Sequence, residues 1–276
     1  MKATVHTKTN DLQEVEQERS VLRWGGLAGM LGSVLFIVTF FIVGVFVGTD
    51  YSAAYLIERF PEMRAARTVE NGLFLAALIL WVPHFLALYR ALWRERLAPA
   101  LFGSVLGIMG LAVWAAESAV HFATLPLSKL YHAPGTTPEE QATLVFLWQA
   151  TMGILEAMLA AGLVLLPIGL ICLGVAMLRA PAFGKGFGAA SVVLGVLGFG
   201  GASLMWIEPA SVLGPVAGVF TLIIFHFVLG RKVYRLSRNP AGILEDRGYT
   251  GNGVRAEGDL NSTEPVNVAQ QGRETP

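Results

Sequence analysis

Long apolar runs, broken by short polar, basic or proline-bearing stretches, dominate the chain up to about Arg238, after which the pattern stops. A helix that crosses a bilayer needs roughly 20 mostly apolar residues, because hydrocarbon offers no partner for a free backbone N–H or C=O. Six runs meet that length: residues 24–47, 71–93, 97–123, 144–178, 186–207 and 212–230. The fourth is too long for one perpendicular crossing, and it is preceded by Thr137-Pro138-Glu139-Glu140, the pattern of a capping box with proline at the first helical position. That helix is expected to begin in water as a stem, with Pro167 a potential kink further along. The expected fold is therefore an all-α, polytopic bundle of six transmembrane helices.

The polar breaks carry direction as well as boundaries. Arg19, Arg23, Arg90, Arg94, Arg96, Arg179, Lys185, Arg231, Lys232, Arg235 and Arg238 fall on one side of the alternating spans, and only Arg59, Arg64, Arg67 and Lys129 on the other. Basic flanks stay cytoplasmic, so both termini are expected inside and the chain in the plasma membrane. Residues 1–22 form a cytoplasmic segment, 23–238 the transmembrane domain and 239–276 a polar, disordered cytoplasmic tail. The tail's Asn261-Ser262-Thr263 sequon has no meaning on that side. The first span lacks a small-residue cleavage site and reads as an uncleaved anchor. Ahead of it, Leu12, Val15, Arg19 and Leu22 share a helical face, as either a surface-lying or a short solvated helix would have. On the other side, Asp50 is expected to cap a short surface helix that Pro61 ends, and residues 125–138 form a loop that is either a lid or a plain connector.

Composition agrees with the pattern. Charged residues are 14% of the chain, well under the roughly 25% of globular proteins. Lys plus Arg and Asp plus Glu each number 20, which leaves no basic excess to attract nucleic acid. The single Cys172 excludes an intramolecular disulfide and any cysteine-built metal centre. The lipid bilayer is the one partner implied; a protein partner or a second copy is left open.

The spans that leave the basic side open alike, with Gly25-Gly26-Leu27-Ala28-Gly29-Met30-Leu31-Gly32, Gly103-Ser104-Val105-Leu106-Gly107 and Gly186-Phe187-Gly188-Ala189-Ala190-Ser191. Small residues four apart let helix backbones approach, so these ends are expected to pack tightly, with Gly214 and Gly218 adding another such face. Three hairpins describe the arrangement. Together with Arg23-Trp24 ahead of the first motif and the fourth span's Gly169-Leu170-Ile171-Cys172-Leu173-Gly174, the pattern resembles the prokaryotic six-helix membrane family catalogued as domain of unknown function 4386, over about residues 20–238. The resemblance implies a membrane location and this fold, and it carries no activity and no site residues.

Candidate chemistry lies in the few ionisable residues at membrane depth. Glu70, Glu117, Glu156 and Glu208 fall near the boundary opposite the basic flanks. Glu117 and His121, four apart, share a face of the third span, and Glu156 on the fourth is the expected third member of a carboxylate and imidazole cluster that holds a cation or relays a proton. Against this stands an interface wet enough to tolerate such groups, with Trp114, Trp148 and Trp206 as its aromatic belt. Arg67 and Glu70 read as a local ion pair. Deeper, His84 follows Pro83 and His226 sits at similar depth on the sixth span; the two form an inner pair if those spans are neighbours, and are otherwise packing residues.

No phosphate-cradling Gly-x-x-x-x-Gly-Lys, His-Glu-x-x-His or Gly-x-Ser-x-Gly occurs, so no residue stands out as catalytic and no cofactor is implied. Three functions remain. The first is a non-enzymatic membrane protein with a structural, sensory or accessory role; the second is a small transporter or ion-binding protein using the Glu/His cluster; the third is a metal-dependent membrane hydrolase built on Glu117, His121 and Glu156.

Overall fold

A computed structural model describes residues 2–47, 52–208 and 213–238; Asp50, the tail and its sequon lie outside the described residues. The described residues form six long helices: α1 (Lys2–Ile42, continued by a π-helical turn Val43–Val47), α2 (Ala53–Leu92), α3 (Leu97–Tyr131), α4 (Pro138–Met177), α5 (Gly184–Ile207) and α6 (Leu213–Arg238). All six are long and apolar enough to cross a membrane, and large side chains such as Phe41, Phe102, Phe146 and Val196 face outward, as a lipid-facing surface requires. No strand occurs among them.

Each helix packs antiparallel on its neighbours in sequence, and α6 closes the ring on α1. Across the centre, α2, α4 and α6 also touch one another, whereas no two of α1, α3 and α5 make a comparable contact. The result is an inner triangle of even-numbered helices with an odd-numbered helix in each outer groove. Glycine makes this possible. On α1, Gly25 lies against the Pro83 carbonyl of α2 and Gly26 against the Gly230 carbonyl of α6; on α3, Gly103 meets the Gly169 carbonyl of α4. On α5, Gly195 abuts the Pro167 carbonyl of α4 and Gly201 the Gly214 carbonyl of α6. A Cβ at any of these positions would fall within 3.0 Å of backbone, so the approach is one only glycine allows. The expected Gly186 is an exception, with open space beside it.

Three expectations about boundaries change. The segment ahead of residue 23 is the start of α1 itself, with Leu22 and Glu18 buried and Glu18 3.8 Å from Arg90 of α2. Pro61 does not end a surface helix, since α2 runs through it from Ala53 to Leu92. Nor is 125–138 a long loop: α3 continues through Pro126 to Tyr131, leaving a short turn before α4. That turn ends in the expected capping box, in which the Glu140 amide donates to Thr137 Oγ1 at 3.3 Å and the Thr137 amide to Glu140 Oε2 at 2.8 Å.

The extensions of α2 and α3 share one physical reason, packing at one end of the bundle; the early start of α1 lies at the other end, where Glu18 approaches Arg90 and Arg19 bonds the Ser237 carbonyl. At 40, 35 and 40 residues, α2, α3 and α4 overshoot a hydrocarbon layer of roughly 30 Å. Their projecting ends form a small core of their own, in which Leu56, Ile57, Phe60 and Met63 of α2 close on Trp148 of α4, flanked by Leu125, Leu127 and Tyr131 of α3. Burial of these side chains outweighs the hydrogen bond each proline removes. Trp148 is 2% exposed and Trp114 fully buried, so neither belongs to an aromatic belt.

Candidate functional site

Beneath that cap, α2 and α3 carry the densest polar cluster of the described bundle. Residues 67, 70, 71, 74, 78, 81, 85 and 88 recur at the three- and four-residue spacing that keeps one face of α2 toward its neighbours. The polar ones lie near the cap. Asn71 Nδ2 donates to the Ser118 carbonyl at 3.0 Å, and Ser118 Oγ donates back to Asn71 Oδ1 at 2.7 Å, tying α2 to α3. One turn outward, Arg67 Nη1 bonds Glu70 Oε2 at 3.3 Å, the local pair expected from their spacing.

Glu117 lies beside this bridge. Its side chain is 10% exposed, its Oε1 lies 4.0 Å from His121 Nε2, and its Oε2 has no hydrogen-bond partner. Glu70 is near enough to act on it electrostatically. The structure thus brings Glu117 and His121 together. It does not bring Glu156 to them: that residue is exposed on α4, with no hydrogen bond or ion pair, because Leu155 and Trp148 are the α4 side chains turned into the core. Among the described residues no three His, Cys, Asp or Glu side chains are grouped to hold a metal ion. Glu208, at the end of α5, is exposed as well.

A cleft opens over the cluster between α2, α3 and α4. Arg67, Thr68, Asn71, His121 and Thr124 form its polar edge, and Leu56, Phe60, Phe122, Leu125, Trp148 and Met152 its apolar wall. His121, half-buried, therefore stands between the cleft and Glu117. Asn71, Ser118 and the proximity of Glu70 to Glu117 are absent from the sequence reading. Their signal was the i, i+3, i+4 recurrence on α2, which marks 67, 70 and 71 as one patch, and the adjacency of Ser118 to Glu117.

Toward the other end, α2 and α6 are neighbours and the inner pair meets. The His84 and His226 rings lie 5.2 Å apart edge to face, with Trp81 stacked on His226 at 4.0 Å. Both imidazoles are wholly buried. His84 Nδ1 bonds the Gly25 carbonyl of α1 at 3.0 Å, which makes that nitrogen the N–H donor and leaves Nε2 as acceptor. His84 thus serves an α1 carbonyl across the helix interface.

Between the two stations sits a block of aromatic rings. Phe36 of α1 stacks on Trp81 at 5.1 Å and meets Phe74 at 5.2 Å and Trp114 of α3 at 6.0 Å; Phe74 and Trp114 are 5.9 Å apart. From Asn71 to His84 the helix rises about 20 Å. The cleft is thereby separated from the imidazoles by a layer of packed aromatic rings.

Set against protein-family models, curated proteins and solved structures, the chain matches none. Residue geometry alone informs its function.

Proposed function

We propose that this chain is a non-enzymatic, multi-pass protein of the plasma membrane, with both termini cytoplasmic, acting as a sensory or accessory component through its cleft-side polar cluster. Membership of the six-helix family named above is part of the same proposal. The observation that carries it is the position of Glu117: a buried carboxyl, one imidazole from an open cleft, beside the Asn71–Ser118 bridge that joins α2 to α3. Such a group reports its surroundings to helix packing, and the neighbouring Ser118 hydroxyl is already bonded to Asn71. The excess of basic residues at the end shared by the start of α1 and the close of α6 supports the orientation.

The ion-binding alternative has the same cluster as support. A hydrolase centred on Glu117, His121 and Glu156 is not favoured, because the third ligand points away. The test is complementation of a deletion strain. Wild type and Glu156→Gln should restore its phenotype and Glu117→Gln should not, at equal abundance in the membrane; full rescue by Glu117→Gln would refute the sensory reading.

A further inference from the structure

We infer that Glu117 is a one-sided proton-binding site: its carboxyl exchanges a proton with water on the cleft side of the membrane, through His121, and with nothing on the other side. This deepens the sensory reading by naming its ligand. Four observations carry it. Glu117 Oε2 is buried without a hydrogen-bond partner, so the carboxyl has an unmet need for a donor or a positive charge. The guanidinium on the cleft, Arg67, is already held by Glu70. His121 lines the cleft and reaches to 4.0 Å from Glu117, a separation that small adjustments of two side chains close. Behind Glu117, the rings of Phe36, Phe74, Trp81 and Trp114 bar water from the His84 and His226 end.

The groups about Glu117 are Glu70 from α2, which acts on it electrostatically and is itself paired with Arg67, and His121 from α3, while Asn71 and Ser118 are bonded to each other beside it. From α4 the cleft receives Trp148 and Met152, neither charged, and from α1 the Phe36 ring reaches Trp114, three residues before Glu117. A metal cation is the poorer occupant, since it needs several converging oxygens and Asn71 Oδ1 is already taken by the Ser118 hydroxyl. A proton needs one oxygen. Hydronium in the cleft protonates the His121 imidazole, and the imidazolium passes a proton to the Glu117 carboxylate, leaving water, a neutral imidazole and a neutral carboxyl; release is the reverse.

Infrared difference spectroscopy on the full chain in lipid vesicles tests this. A carboxylic-acid C=O band that follows bathing pH should be present in wild type and Glu156→Gln and missing from Glu117→Gln, with the amide bands unchanged. In vesicles of known orientation, a pH jump on the cleft side should move the band and a jump on the opposite side should not. The inference fails if wild type minus Glu117→Gln shows no acid band from acid to alkaline pH, if sodium at constant pH and ionic strength abolishes the band, or if both sides move it equally. His121→Phe keeps a flat ring and removes the relay; it should slow the response at least several-fold, and an unchanged rate would remove His121 from the path. The band reads Glu117 itself, so its presence alongside full cellular rescue by Glu117→Gln would sink the sensory reading and leave the proton site standing.

Discussion

Asn71 and Ser118 show what a single polar pair does in this bundle. Each side chain satisfies the other helix, with bonds of 3.0 and 2.7 Å in a buried seam. Because an unfolded chain in a membrane also finds partners, such pairs contribute modestly, about 0.6 kcal/mol on average and up to about 1.7. A double-mutant cycle of Asn71→Ala and Ser118→Ala should therefore give a coupling of about 1 kcal/mol in reversible unfolding from mixed micelles, and strictly additive losses would show that the bond from the Ser118 hydroxyl is not made, since the Ser118 carbonyl survives its own substitution. At this scale the sequence was partly readable. Glu117 and His121 were paired because one helix fixes their spacing, and Arg67 and Glu70 likewise. Glu156 was misplaced because its facing depends on how α4 is rotated about its axis, at 100° per residue. In a soluble helix the apolar stripe reveals that rotation; here lipid and core are equally apolar, and the stripe vanishes.

For whole elements, the misjudged features are the extensions of α2 and α3. Pro61 is expected to end its helix and residues 125–138 to form a loop, yet α2 continues through Pro61 and α3 through Pro126, since a small three-helix core rewards the extra turns. Trp148 is its centre, with Phe60 edge-on at 5.4 Å. Trp148→Ala should cost about 3 kcal/mol locally. Hydrogen exchange should rise across residues 53–63 and 125–131 while the glycine-packed span ends stay protected; equal deprotection throughout would mean that the cap and bundle unfold as one unit. By contrast, the start of α4 was legible in full, because a capping box is local chemistry that no distant contact needs to supply.

For the whole molecule, six spans and three hairpins followed from length and hydropathy alone, since the bilayer's thickness and its lack of hydrogen-bond partners leave few alternatives. The nested triangles did not follow, although the glycine motifs that build them were visible: a motif names a helix face for close approach without naming the helix that approaches. The contact at Gly103 and Gly169 tests the arrangement. Each Cβ would stand 2.8 Å from the other residue's carbonyl oxygen, and backbone cannot yield as a side chain tip does. Gly103→Val should thus destabilise the bundle by about 1–3 kcal/mol, seen as a lower melting temperature in detergent. Gly153→Ala, with open space beside it, should be neutral or stabilising by up to about 1 kcal/mol. Equal effects at both sites would contradict the packing of α3 on α4.

Orientation is the property of the whole on which the meaning of the cleft depends. The chain places the start of α1, the α2–α3 and α4–α5 turns and the close of α6 at one end, and there cations are also structurally engaged: Arg19 Nε bonds the Ser237 carbonyl at 3.0 Å, and Arg90 and Arg94 lie over the Trp93 ring at 4.9 and 5.3 Å. Retention of that basic end in the cytoplasm turns the cleft outward, so Glu117 would exchange protons with the exterior. In a Cys172→Ser background, single cysteines at the exposed positions Glu139 and Arg235 report on the two ends. An impermeant maleimide added to intact cells should label Glu139→Cys directly and Arg235→Cys only after the membrane is opened. The reverse pattern would turn the cleft to the cytoplasm, and the same carboxyl would then answer to internal pH.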